Sequence, residues 1–241
     1  MKKILAAVLA LTLALSLCAF AMAEAASYAD YVAAELDSEV TITAYVQAHQ
    51  SWWDGKVTIY AADQDGAYFL YEVPCSEEDA DKLVPGTKFT ATGFKSEWSG
   101  EVELADISSF EILDDDTFIA EPVDVTDLLG KDELIEKMNQ LVSFKCMTVE
   151  PSKIEGDDAE YAFLYNWDGS GEAGANNDLY FNVSKDGATY TFTVESYLTG
   201  EGSDVYEAVK ALNVGDVIDL DGFLYWYNGA NPHITAVRPA E

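Results

Sequence analysis

Apolar and polar residues alternate in the clearest segments of the chain. Val40, Ile42, Ala44 and Val46 are interleaved with Thr41, Thr43, Tyr45 and Gln47. A period of two predicts a strand with one face in a core. Val142, Phe144 and Cys146 repeat the pattern, which puts Cys146 on a core face. Further β-rich runs cover 56–62, 67–73, 88–97 and 102–113, then 162–167, 179–184, 189–198, 217–227 and 233–237. Asp63-Gln64-Asp65-Gly66 and Lys185-Asp186-Gly187 lie between such runs. An Asp-Gly turn between strands predicts a hairpin. Two acidic stretches, 76–82 and 203–212, read as helices. Ser76 stands three residues before Asp79, close to a capping box, and acids suit the positive end of a helix. Helical lead-ins are expected near 28–36 and 131–139.

These elements are written twice. Leu83-Val84-Pro85-Gly86, Gly93-Phe94 and Trp98-Ser99-Gly100 recur as Leu212-Asn213-Val214-Gly215, Gly222-Phe223 and Tyr227-Asn228-Gly229, always 129 positions later. Each copy runs three strands, a helix and two strands. The copies divide the chain into domains at 24–113 and 114–241, with the acidic run Asp114-Asp115-Asp116 at the junction. The second copy carries an insertion around 166–190 that includes a Gly/Asn-rich loop.

Five strands with a helix between the third and fourth is the order of the OB-fold. The chain resembles tandem bacterial OB-fold domains of exported proteins. The resemblance rests on the alternating first strand, the Asp63-x-Asp65-Gly66 hairpin, the acidic helix, and the Leu-x-x-Gly…Gly-Phe fourth strand at 83–94 and 212–223. It implies an all-β class with minor helix: two tandem five-stranded Greek-key barrels, each with a helix between strands 3 and 4. It implies binding, with no ligand named.

Met1-Lys2-Lys3, the apolar run 4–20 and Ala21-Met22-Ala23 read as a secretory signal peptide over 1–23. The competing reading, an uncleaved anchor, has an apolar run at the short end of the spanning range. A lipoprotein reading through Cys18 meets the large Leu17 just before it. Export to a secreted, extracellular location follows, with no membrane contact after cleavage. Export permits a disulfide between Cys75 and Cys146, but a core-facing Cys146 favours a free thiol.

Charge narrows the field of partners. The 241 residues hold 13 Lys+Arg against 44 Asp+Glu, a formal charge of −31. Sequence-independent nucleic-acid binding rests on Lys/Arg displacing counterions, so this balance argues against a nucleic-acid partner. It equally argues against anchoring on anionic lipid. With 49% hydrophobic and 12% aromatic residues the chain is no disordered acidic tail. The acids read as a solvating surface.

No catalytic constellation stands out. His49 and His233 fall in different copies, and no G-x-S-x-G, H-E-x-x-H or P-loop occurs. The chain is read as a non-enzyme. Asn166-x-Asp168-x-Ser170-Gly171 carries oxygens at calcium-loop spacing, but Asn177 stands where a bidentate Glu belongs. That leaves a weak calcium site at Asn166, Asp168 and Ser170, with a flexible Gly-rich loop as the stronger reading. No other cofactor is expected.

The aromatic residues carry the functional expectation. OB-folds hold ligands on strands 2 and 3 and on loops 1-2 and 4-5. In the first copy those places hold Trp52, Trp53, Tyr60, Tyr71 and Trp98; in the second, Trp167, Trp226 and Tyr227. Flat rings beside polar groups suit a glycan, a peptide or a surface protein. The alternative is an accessory interaction protein whose rings pack the two barrels together. Single-stranded nucleic acid ranks last, on charge.

Overall fold

The computed structural model describes residues 25–240. The signal segment 1–23 lies outside the described residues. A short helix, α1 (Tyr28–Ala33), precedes five strands: β1 (Glu39–His49), β2 (Lys56–Ala62), β3 (Ala67–Pro74), β4 (Lys88–Trp98) and β5 (Glu101–Ile112). They close a barrel in the order β1-β2-β3-β5-β4, with β3 and β5 meeting in parallel at Leu70 and Leu104. Helix α2 (Glu77–Ala80) sits between β3 and β4.

The second half holds β6 (Val123–Asp124), β7 (Leu141–Glu150), β8 (Leu164–Tyr165), β9 (Leu179–Lys185), β10 (Ala188–Val194), α3 (Asp204–Lys210), β11 (Val217–Phe223) and β12 (His233–Pro239). Here β7-β11-β12-β10-β9 run side by side, and β7 pairs with β9 to close a second barrel. The two-residue strands β6 and β8 lie at its margins. Both halves are therefore closed five-stranded barrels with a helix between the third and fourth strands, as the element order implied.

Local chemistry accounts for the repeat. Ser76 and Ser203 each cap a helix, their hydroxyls accepting from the amides of Asp79 at 3.1 Å and Tyr206 at 3.3 Å. Asp63 Oδ1 accepts from the amides of Asp65 and Gly66, both at 2.8 Å, and fixes the first hairpin. The repeated Gly93 and Gly222 mark the point where the fourth strand bulges against the fifth. A Cβ at Gly93 would stand 2.7 Å from the Ala105 carbonyl oxygen, and one at Gly222 2.5 Å from that of His233. The Gly-Phe pair is thus a device for close strand approach.

Each barrel has its own core. Ile42, Ala44, Val46, Ile59, Leu70 and Phe89 fill the first; Phe144, Met147, Phe181, Phe192, Tyr206 and Leu220 fill the second. At the junction Lys88 bridges Asp115 at 2.9 Å and Asp116 at 2.6 Å, and Tyr45 donates to Asp116 at 3.0 Å. No helix among the described residues is long and apolar enough to cross a membrane.

Three expectations are corrected. Cys146 is exposed and Met147 takes the core position. The cause is a bulge in β7 opposite Ile218 to Leu220, where Cys146 adopts φ +52 and its amide donates to Asp219 Oδ1 at 2.9 Å. One extra residue flips the alternation. Cys75 and Cys146 are both free. Next, the run 162–167 is not the second strand of its barrel. That place belongs to β9, because β7 pairs with it and a long insertion intervenes. Finally, β11 ends at Phe223 rather than at Tyr227, which leaves Tyr225, Trp226 and Tyr227 in a loop.

Candidate binding cleft at the barrel junction

The ligand face common to OB-folds, strands 2 and 3, looks here into the second barrel. Tyr60 of β2 and Phe69 of β3 form a cluster with Phe223, packed by Leu141 and Tyr225. Tyr60 stacks on Phe223 with ring centroids 4.6 Å apart, and Tyr225 stacks on His233 at 4.5 Å. The Tyr60 hydroxyl and His233 Nδ1 form a buried 2.6 Å hydrogen bond. Burial pushes His233 down to about 3, so its ring is neutral at physiological pH.

Backbone contacts complete the docking. The Trp226 amide donates to Glu101 Oε2 at 2.7 Å, the Asn228 amide to the Ser99 carbonyl at 2.7 Å, and Asn139 Nδ2 to the Val102 carbonyl at 3.0 Å. Gly100 lets the Trp226 indole lie close: a Cβ there would stand 2.8 Å from its ring. Glu101 is fully buried, and burial pushes its carboxyl up to about 8. Among the described residues, Glu101 Oε1 and the neighbouring Asn139 Oδ1 both lack a partner.

Beside this seam opens a cleft of about 450 Å³. Its walls are Phe69 and Tyr71 of β3, Trp98 at the end of β4, Glu103 of β5, Gln50, and Tyr225 with His233 from the second barrel. Trp98 is 61% exposed and Tyr71 45%, whereas Phe69 is buried. A shallower hollow of about 280 Å³ shares Gln50 and Tyr71 and adds Trp53, Glu72 and Tyr197. The two run on from each other along the junction.

Of the residues singled out from sequence, the structure brings Tyr71 and Trp98 into the cleft and Trp53 into the adjoining hollow. Trp167 and Tyr227 are exposed and line neither. Three more line neither cavity. Tyr60 is buried in the seam. Trp52 is half-buried, its Nε1 donating to the Cys75 carbonyl at 3.0 Å. Trp226 packs on Gly100 and the second core. In the calcium-like loop, Asn166 Nδ2 donates to Ser170 Oγ at 3.3 Å and the Ser170 amide donates to Asp168 Oδ1 at 3.0 Å. Those side chains hold the loop's own turns. No cluster of three or more His, Cys, Asp or Glu in metal-binding array occurs among the described residues.

Sequence reasoning missed Phe69 and Glu103. Phe69 shares a strand face with Tyr71 by period two, which was a usable signal. Glu103 gave none, because acids are everywhere in this chain.

No protein-family description matches the sequence, and no curated protein matches it. Solved structures do share the arrangement. A murine DNA binding protein bound with ds DNA is 13% identical, covering 83% of this chain and 96% of that one, with a TM-score of 0.38. The Ifi202 HINa domain in complex with 20bp dsDNA is 12% identical, covering 83% and 98%, with a TM-score of 0.33. A deletion mutant of the single-stranded DNA binding protein from Thermus aquaticus is 10% identical, covering 84% and 94%, with a TM-score of 0.25. Two of these structures hold double-stranded DNA and the third is a single-stranded DNA binding protein, which runs against the ordering drawn from charge that put a glycan, peptide or surface protein first and set nucleic acid aside. That ordering is withdrawn. Net charge is a long-range average, and it does not decide what one cleft holds. The likeness itself is one of fold.

Proposed function

We propose that this chain is an exported, non-catalytic binding module whose ligand seats in the cleft between its two barrels. One observation carries the reading: accessible rings of the first barrel, Tyr71 and Trp98, converge with Tyr225 of the second around a single cavity. Such a concave, ring-lined site with a few polar groups is the usual form of a small-ligand pocket. Both histidines are structurally engaged, His233 with Tyr60 and His49 Nδ1 with the Gln50 carbonyl at 2.7 Å. That supports binding without catalysis. Export and a bacterial type are supported by the signal-like segment and by the resemblance to exported tandem OB-folds.

A second reading places an unstacked base of single-stranded nucleic acid in the same cleft. It is favoured by the cleft's position on strand 3 and the loop between strands 4 and 5, where OB-folds hold oligonucleotides. Aromatic platforms stack bases with little sequence preference.

Ligand-observed NMR with a library of small soluble fragments, plus an oligo-dT strand, tests both. Fragments are expected to bind the native protein and to lose their signal with Trp98→Ala at unchanged melting temperature. Hits indifferent to Trp98→Ala remove the cleft as the site. Binding confined to oligo-dT and lost in that variant favours the second reading.

A further inference from the structure

We propose that the cleft takes a small organic cation, an ammonium head group on a short alkyl or aryl stem. The inference rests on the reading of this cleft as the ligand site and names what fills it.

The walls define the chemistry. The rings of Tyr71, Trp98 and Tyr225 come from three separate segments and border one cavity. The face of an aromatic ring attracts an ammonium group within about 6 Å, and tryptophan does so best. Glu103 lines the same cavity with only 7% of its surface exposed. Among the described residues no ion pair reaches it. A carboxylate held away from water without a counter-charge is costly, and burial raises the Glu103 pKa accordingly. An entering cation supplies the missing charge.

Nothing in the lining opposes it. The cleft wall includes no Lys or Arg. His233, the one group there able to turn positive near neutral pH, is kept neutral by burial. The other titratable neighbours of Glu103 are Glu101, Tyr31, Tyr71 and Tyr225. Lys56 lines the adjoining hollow and is paired with Glu72 at 2.7 Å, and Lys95 on the neighbouring strand donates to the Val32 and Ala34 carbonyls. A hard metal ion is a poor occupant, because it asks for several oxygens and this wall offers those of Glu103 and Gln50. The charge of −31 draws cations toward the whole surface, and the rings then select those with a soft, apolar shell.

Choline and its uncharged carbon isostere 3,3-dimethyl-1-butanol separate cation recognition from simple apolar filling. Isothermal titration calorimetry on the native chain is expected to show choline binding at least about tenfold more tightly than the alcohol. Glu103→Gln and Trp98→Ala are each expected to weaken choline about tenfold or more. Trp167→Ala, outside the cleft lining, leaves it unchanged. Trp98 is largely exposed, so its removal probes the cleft without loosening a core. Absence of choline binding at millimolar concentration overturns the inference. Equal affinity for choline and the alcohol, both lost with Trp98→Ala, overturns the cation while the cleft reading stands. Choline binding indifferent to Trp98→Ala overturns both.

Discussion

Phe223→Ala is expected to destabilise the protein by about 3–5 kcal/mol and to split its unfolding into two steps. Phe223 is 4% exposed at the end of β11. Its ring stacks on Tyr60 from the other barrel, and its cluster is separate from both barrel cores. Truncation therefore empties the seam and leaves each barrel's own packing in place. The buried bond between Tyr60 and His233 loses its apolar cover at the same time. Urea unfolding followed by Trp emission and by circular dichroism is the measurement. In the native chain the two signals are expected to coincide, and in Phe223→Ala to separate. Coincident, unshifted transitions in the variant would mean that the seam does not couple the barrels.

The second large effect concerns pH. The Glu101 carboxyl, ordinarily at 4.5, is held at about 8 in the fold by burial. Below 4.5 both folded and unfolded chains carry the proton. Between 4.5 and 8 the unfolded chain gives it up and the folded chain keeps it. Stability from this group is thus complete at acid pH and falls as pH rises, by about 1.4 kcal/mol per unit, until the folded carboxyl ionises. Glu195, raised by burial to about 7, works in the same direction. His233 works oppositely, since its folded value of about 3 lies under the ordinary 6.5, and it removes stability as pH falls through that window. Glu101→Gln isolates the first contribution. Its carboxamide carries no charge over this range, and its oxygen keeps the Trp226 amide as donor. The variant is expected to match the native protein near pH 4.5 and to be clearly the more stable at pH 8 by urea titration. Parallel pH profiles for the two proteins would show that Glu101 is ionised in the folded state.

The barrels were legible because their signals are local and periodic. The strand at 39–49 alternates as far as Val46, the serine caps sit where the helices begin, and Gly-Phe recurs where strands must touch. The failures have physical causes of the same kind. A bulge at Cys146 inverted a face that alternation alone had assigned. The insertion before β9 broke the mapping of the second strand. The site was half visible. Tyr71 and Trp98 follow from where OB-folds hold ligands, but Tyr60 and Trp226 went to the seam, because only the docked pair of barrels decides which rings stay open. Glu103 is distinguished from the other acids by burial, a property the sequence does not write.

The account turns on the cleft being the place where ligand is held. The most direct measurement is ¹H–¹⁵N NMR of the native chain titrated with phenyltrimethylammonium, followed through the indole N–H signals and backbone amides. The expected result is a shift of the Trp98 indole with the amides of Tyr71, Glu103 and Tyr225, while Trp53 and Trp167 stay in place. Shifts confined to Trp53 or Trp167, or none at all, would contradict it.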